Sequence, residues 1–175
     1  SAKTLKSIQI TLAARLEKFN LSSLAALTAA DELDLPSLGE KKVALFALIP
    51  DNDTSFNFLV SILYTQLFQQ LFYLADHKHG GSLPVPVILT GSQLTLDYMP
   101  EDVTSNLRGA AMACCSDLRG VWVYFNWKLI PGDRAHKAHA MHPDAFNAVN
   151  GQPLFFNPDW GLDPSPAALR TATAG

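Results

Sequence analysis

The sequence predicts an α/β fold of three layers, in which a mainly parallel sheet carries helices on both faces. Three short apolar segments, at 43–49, 85–90 and 121–126, have the composition of strands buried on both faces of a sheet. A helical segment separates each of them from the next. This alternation is typical of a Rossmann-like β-α-β-α-β unit with right-handed crossovers, which we predict over residues 41–126.

The helices are predicted from apolar residues that recur every three or four positions. An amphipathic helix opens the chain, with apolar positions at Leu5, Ile8, Leu12, Leu16 and Phe19. Together with a shorter helix, it is predicted to form a helical cover over residues 1–40. A longer helix at 55–76 has a narrow polar stripe of Ser61, Thr65 and Gln69, so we expect it to pack on the sheet. A further helix is predicted at 101–116.

The rest of the chain is predicted to be mostly irregular. Residues 127–160 are loop-rich, with short extended pieces around 128–130 and 154–156, and they complete a single domain over 1–160. A domain of this length is large enough to bury a substantial core. The segment 161–175 is rich in Pro, Ala and Thr and is predicted to be a disordered tail.

Composition argues against several classes of partner. The net charge of −3 gives no general attraction to nucleic acid. The longest apolar stretch, 56–74, contains six polar side chains, and no compact apolar block opens the chain, so neither a membrane span nor a signal peptide is expected. Cys114 and Cys115 are adjacent and poorly placed to bridge each other, so we expect reduced thiols in a cytoplasmic protein. Exposed apolar surface leaves a homo-oligomer open.

Residues 5–87 resemble the conjugative coupling proteins of type IV secretion, a family of DNA-translocating ATPases. The segments that carry the resemblance are Asp31-Glu32-Leu33-Asp34-Leu35, Ile49-Pro50-Asp51-Asn52-Asp53-Thr54-Ser55-Phe56-Asn57-Phe58, Leu63-Tyr64-Thr65-Gln66-Leu67-Phe68 and Leu83-Pro84-Val85-Pro86-Val87. In that family, an acidic Asp-Glu pair that serves magnesium and ATP hydrolysis follows the last of these. Here Leu89-Thr90-Gly91-Ser92 takes its place, and no G-x-x-x-x-G-K-[ST] phosphate loop occurs in the 175 residues. No nucleotide cofactor is therefore expected.

Residues 85–155 resemble the bacterial L-asparaginases. The segments that carry this resemblance are Thr90-Gly91-Ser92-Gln93, Asn106-Leu107, Val123-Tyr124-Phe125-Asn126, Lys128-Leu129-Ile130, Gly132 with Arg134 and Lys137, and Asp144-Ala145-Phe146-Asn147 with Asn150. The resemblance implies an amidohydrolase that acts on a small amide such as asparagine, through a nucleophilic hydroxyl and an oxyanion site. The family's Gly-Gly-Thr-Ile turn, which carries one of its two threonines, does not occur in the sequence.

The candidate site residues follow from this second resemblance. Lys137 occupies the position of the family's catalytic lysine, and Thr90, Gly91 and Ser92 are candidates for substrate binding. When the turn at 50–54 is aligned with the family's Gly-Thr-Asp-Thr turn, Asp53 falls on the catalytic aspartate and Asn52 replaces the catalytic threonine. The alternative interpretations, a cap of the helix that follows for Asp53 and a loop surface for Lys137, are favoured over the catalytic ones. An asparagine cannot act as the nucleophile.

No metal site is predicted. The five histidines, at 77, 79, 136, 139 and 142, lack an accompanying cysteine or carboxylate pattern of ligand spacing. Three functions remain open at this point. The chain is a chimeric or designed scaffold with an incomplete amidohydrolase site and no activity, a coupling-protein fragment that serves DNA transfer or partner binding, or an active asparaginase-like enzyme. The missing nucleophile favours the first.

Overall fold

The computed structural model describes residues 2–49, 54–92, 100–140, 142–159 and 161–162. The chain divides into two units, Ser1–Asp34 and Leu35–Gly175. The first contains α1 (Ala2–Leu16), a 3₁₀ turn (Glu17–Asn20) and α2 (Ser22–Leu27). The apolar stripe of α1 is more than half exposed at Leu5 and Ile8, whereas Leu24 of α2 is buried. The role of this unit as a cover stays a prediction.

In the described part of the second unit there are two α-helices and seven strands. A 3₁₀ turn (Leu35–Gly39) precedes α3 (Asn57–His77), and α4 spans Pro100–Ala113. The strands are β1 (Val87–Leu89), β2 (Val121–Phe125), β3 (Lys128–Pro131), β4 (Ala135–Lys137), β5 (Phe146–Ala148), β6 (Leu154–Asn157) and β7 (Gly161–Leu162). The first two residues of the predicted tail therefore form β7, and residues 163–175 lie outside the described residues.

A mixed five-stranded sheet has the order β1-β2-β3-β6-β7, and β4 and β5 form a separate two-stranded sheet. β1 and β2 are parallel, with Val87 opposite Val121, whereas the other three neighbouring pairs of the large sheet are antiparallel. The α/β class and the parallel pairing of 85–90 with 121–126 are confirmed. The expectation of a mainly parallel sheet is wrong, because a two-residue hairpin at Asn126-Trp127 turns the chain back onto β2.

The predicted strand at 43–49 is also wrong. These residues have neither helical nor strand structure, and Phe46 and Leu48 are 71% and 95% exposed. A strand requires the backbone groups of a neighbour for its hydrogen bonds. Because no described strand pairs with 43–49, β1 ends the sheet on that side.

Helices α3 and α4 pack on opposite faces of the β1–β2 pair. Beneath α3 lies a cluster that we call the α3 core: Leu35, Leu67, Leu71, Leu74, Leu83 and Val87, with Val121 packed against it. Ile88 and Trp122, the next residues along each strand, belong to the cluster beneath α4. Since successive strand side chains point to opposite faces, the two helices cover different sides.

The cluster beneath α4, called here the sheet core, contains Ala110, Ala113, Trp122, Tyr124, Leu129, Leu154 and Phe156. Gly109 lets α4 approach the ring of Tyr124 closely, because a Cβ built on this glycine would lie 2.1 Å from that ring. Tyr124 and Phe156 meet edge to face, with ring centroids 6.0 Å apart. The hydroxyl of Tyr124 donates to the carbonyl of Phe156 at 3.1 Å.

One described helix, α3, is long and apolar enough to cross a membrane by length and composition alone. Its mean hydropathy over the best window is 1.3, and 17% of that window is buried. Core helices of globular proteins satisfy the same criterion, and the three leucines that α3 contributes to the α3 core account for its buried stripe.

Candidate functional site

The candidate site lies where the two parallel strands end. Thr90, Gly91 and Ser92 follow β1 directly, and Asn126 follows β2. The carboxyl ends of parallel strands meet at one edge of a sheet, and loops at that edge commonly bind ligands in α/β proteins. The sequence-predicted binding residues are therefore placed at a chemically suitable edge.

Asn106 of α4 ties these two loops together. Its side chain is completely buried. Its Nδ2 donates to the carbonyl of Gly91 at 3.0 Å, and its Oδ1 accepts from the backbone N–H of Asn126 at 2.9 Å. A buried amide with satisfied groups on both sides fixes the geometry of both loops, because leaving any of these groups unpaired would be costly.

The Thr90 hydroxyl is engaged inside this network. It donates to the carbonyl of Tyr124 at 2.8 Å and lies 3.5 Å from the carbonyl of Asn106. The phenol of Tyr124 is fully buried, and burial raises its pKa to about 12. A protonated phenol that donates to a carbonyl is not a proton acceptor at neutral pH. Neither hydroxyl is poised as an activated nucleophile.

Ser92 and Asp102 form the exposed side of the network. The hydroxyl of Ser92 donates to Oδ2 of Asp102 at 3.2 Å, and the other oxygen, Oδ1, accepts from Nδ2 of Asn106 at 3.0 Å. Asp102 lies in the first turn of α4, where the helix dipole also favours a negative charge. This carboxylate therefore holds Ser92 and Asn106 in one arrangement.

A second polar cluster lies beside the hairpin. Lys128 is 7% exposed, and its ammonium donates to the carbonyl of Phe146 at 3.0 Å and to Oδ1 of Asn147 at 3.2 Å. It also forms an ion pair with Asp144. Burial opposes ionisation of Asp144, but hydrogen bonds from Lys128 and Asn126 outweigh it and lower the pKa of this carboxyl.

Lys137 lies on the other side of this cluster. It belongs to β4 and pairs with Phe146 of β5, the residue whose carbonyl accepts from Lys128. Its side chain is exposed and has no hydrogen bond or ion pair with any described residue. Through Phe146, the strand of Lys137 is linked to Lys128 at the start of β3. The Lys137 ammonium forms no hydrogen bond with Thr90, Gly91 or Ser92.

Two of the sequence-derived candidates, Asp53 and Asn52, lie outside the described residues. The histidines are all described. His79 contacts Glu40 at 3.0 Å, His77 contacts the carbonyl of Tyr73 at 3.1 Å, and the rings of His139 and His142 lie 5.7 Å apart. Within the described ranges, no three His, Cys, Asp or Glu side chains come together as a metal site.

Sequence reasoning missed the residues that organise the site. Asn106 was identified only through the resemblance to asparaginases, and Asp102 was not among the candidates. The i,i+4 spacing of Asp102 and Asn106 on one helix was an available signal, since carboxylate and amide side chains hydrogen-bond at this spacing. The pairing of Lys128 with Asp144 joins residues 16 positions apart, and no local pattern marks it.

Comparison with known proteins gives two family matches. A model described as type IV secretory system conjugative DNA transfer matches residues 1–90, which is more than half of the chain. The chain belongs to this family. A second model, the N-terminal domain of asparaginase, matches residues 78–158. The conjugative DNA transfer match and the asparaginase match overlap over 78–90, so β1 belongs to both and the chimeric resemblance is confirmed.

Individual relatives match the asparaginase part. L-asparaginase of Thermococcus kodakarensis is 36% identical over 67 residues, which cover 38% of this chain and 20% of that protein. L-asparaginase 1 of Escherichia coli K12 is 39% identical over 74 residues, with 42% and 22% coverage. A component of the glutamyl-tRNA(Gln) amidotransferase of Methanococcus vannielii is 32% identical over 77 residues, with 40% and 18% coverage.

Among solved structures, the thermostable L-asparaginase from Thermococcus kodakarensis matches with a TM-score of 0.43 and 32% identity. The match covers 46% of this chain and 25% of that one. The chain therefore spans about a fifth of the length of the curated relatives that it matches.

Proposed function

We propose that this chain is a chimeric scaffold that retains one wall of an asparaginase-like site and does not hydrolyse amides by itself. The proposal rests on one observation. Thr90 donates its hydroxyl proton to the carbonyl of Tyr124, while Lys137 is exposed and paired with none of the candidate binding residues. Amide hydrolysis needs a nucleophile, a proton acceptor and an oxyanion site within hydrogen-bond reach of one another.

The retained wall is the loop Thr90-Gly91-Ser92. Asn106 holds the carbonyl of Gly91, and Asp102 holds the hydroxyl of Ser92. This loop is where a small amide such as asparagine would bind, since its backbone is held in one conformation at the carboxyl edge of β1. Because no nucleophile among the described residues faces this loop, we expect it to bind such an amide without hydrolysing it.

The test is ammonia release from asparagine by the purified chain, with a small amount of active asparaginase added to a parallel sample as a detection control. We expect no release above the buffer rate. The Asn52→Thr variant supplies a hydroxyl at the aligned position, and we expect it to remain inactive as well. Turnover by the unmodified chain would overturn the proposal. Activity in Asn52→Thr that Lys137→Met abolishes would replace it with an asparaginase-like site that lacks only its nucleophile.

A second candidate function comes from the match of residues 1–90 to the conjugative DNA transfer family. It would be a role in partner binding rather than ATP hydrolysis, because no phosphate loop occurs in the 175 residues and Leu89-Thr90 replaces the acidic pair. Thermal unfolding with and without Mg-ATP distinguishes the alternatives. We expect no rise in melting temperature, whereas a nucleotide site would produce a rise that grows with ligand concentration.

A further inference from the structure

A groove of about 410 Å³ opens between α4 and the tip of the β2–β3 hairpin. One wall is a single face of the helix, with Glu101 and Arg108 at its two ends. The opposite wall is formed by Trp127 and by the turn after β6 that carries Asp159. The volume lies within the range typical of small-molecule sites. None of these residues takes part in the Thr90–Asn106 network, so the groove is separate from the candidate site.

Trp127 lines the groove with a positive backbone φ, which is unfavourable for a non-glycine residue. Phe125 pairs with Lys128, which leaves Asn126 and Trp127 as the two central residues of the hairpin, with φ of 47° and 67°. Both residues therefore have the positive φ of a type I′ turn, in which the second position favours glycine. The Trp127 carbonyl accepts from the N–H of Phe156 at 2.9 Å, which holds this conformation. Trp127 as a whole residue is 42% exposed.

The charges of the groove sum to −1. Arg108 and Asp159 neutralise each other through a contact of 2.5 Å that joins the two walls. Glu101 has no ionic or hydrogen-bonded partner among the residues the structure describes, and neither has the indole N–H of Trp127. A groove lined by both an unpaired carboxylate and a tryptophan ring is suited to a cation, because the ring quadrupole and the negative charge both attract it.

We propose that this groove binds a small organic cation of the alkylammonium type, with Trp127 as the aromatic platform and Glu101 as the counter-charge. The Arg108–Asp159 pair closes one end and leaves the net negative charge at the other. An anionic or neutral ligand of the same shape gains nothing from Glu101. The proposal is independent of amide chemistry, since it uses no residue of the candidate active site.

Choline and its neutral isostere 3,3-dimethylbutan-1-ol provide the matched probes, because they differ in replacing the quaternary nitrogen by carbon. Ligand-observed NMR titrations of the whole chain at constant ionic strength measure both. We expect saturable choline binding with a Kd of about 1–10 mM and binding of the isostere that is roughly 3-fold weaker or more. Equal binding of the two probes, or no saturable choline binding, overturns the proposal.

Variants test whether Trp127 and Glu101 each contact the bound cation. Trp127→Leu and Glu101→Gln should each weaken choline binding by roughly 2- to 5-fold. Phe155→Leu and Asp117→Asn, which change an exposed aromatic and an exposed acid outside the groove, should leave it unchanged. Circular dichroism of each variant verifies that it is folded. If the outside variants weaken binding as much as the groove variants, choline binds the surface without a site, and the proposal is wrong.

Discussion

Two apolar cores lie in the second unit, on opposite faces of the β1–β2 pair, and their side chains are enclosed to different degrees. In the sheet core, Tyr124, Leu129 and Ala113 have no exposed surface, and two polar anchors, Asn106 and the Tyr124 hydroxyl, are satisfied within it. In the α3 core, every member keeps some exposure, and other faces of α3 present Phe72 and Tyr73 to solvent at 66% and 60%.

The difference follows from what surrounds each core. The sheet core is enclosed by α4 on one side and by strands β2, β3 and β6 on the other, so its side chains meet partners in all directions. The α3 core has one helix against the edge of the sheet, because residues 43–49 add no strand beside β1. The sheet core, which lies within the asparaginase match, is therefore enclosed by a helix and a sheet, whereas α3, which lies within the conjugative DNA transfer match, is packed along one stripe.

The largest expected effect is a difference between two leucine truncations. Leu129→Ala removes a fully enclosed side chain of the sheet core and should lower the free energy of unfolding by about 4 kcal/mol. Leu67→Ala removes a side chain of the α3 core whose surroundings can collapse, and it should cost about 2–3 kcal/mol. Urea denaturation followed by far-ultraviolet circular dichroism measures both variants.

The order of these two costs decides whether the comparison holds. A cost for Leu67→Ala at or above that of Leu129→Ala would show that the α3 core is the better enclosed of the two. A cost below about 1 kcal/mol would show that α3 is not packed through Leu67 at all. An unchanged slope of free energy against urea in both variants verifies that the same surface is exposed on unfolding.

The sequence predicted the positions of helices and strands more successfully than it predicted which strands pair with each other. The helix at 55–76 and the strands at 85–90 and 121–126 are found close to their predicted bounds, since their apolar patterns and flanking turns are local signals. Residues 43–49 are apolar, like the true strands. What they lack is a neighbouring backbone to pair with, and composition carries no information on that point.

The antiparallel extension of the sheet was missed for a different reason. The extended pieces around 128–130 and 154–156 were predicted, and they are β3 and β6. The hairpin that brings β3 back to β2 was not predicted. Its second turn position holds Trp127, whereas glycine at that position is the usual sequence signal of such a turn. In the site, Thr90, Gly91 and Ser92 could be named from the family resemblance. The hydrogen bond that Asp102 accepts from Ser92 spans ten positions along the chain, and no motif contains it.

A smaller effect is expected at the ion pair of the second polar cluster. Asp144 has a lowered pKa in the folded chain, so its contribution to stability is present above the unfolded-state pKa of about 3.9 and is lost as the pH falls through the folded value. Its side chain is 40% exposed, so we expect Asp144→Asn to cost about 1 kcal/mol at neutral pH. The difference in free energy of unfolding between the unmodified chain and Asp144→Asn should shrink as the pH is lowered.

Free energies of unfolding measured between neutral pH and about pH 3 test this sign. Asp117→Asn is the matched control, because Asp117 is exposed and forms no ion pair with a described residue. A gap that widens on acidification would mean that protonated Asp144 is the stabilising form, opposite to the expectation. A gap that is constant with pH would assign the effect to packing rather than to the charge of Asp144.

The smallest expected effect is at Leu48, and it tests whether the α3 core ends at β1. Leu48→Ser replaces a side chain that is 95% exposed, so the free energy of unfolding should change by less than about 0.5 kcal/mol. If residues 43–49 instead formed the buried strand that their composition predicts, the same change would place a hydroxyl in a core and cost about 2–5 kcal/mol. Measured beside Leu67→Ala in the same urea series, a large loss at Leu48 would show that the α3 core extends over β1 to residues 43–49. A negligible loss leaves the α3 core bounded by β1, as the structure has it.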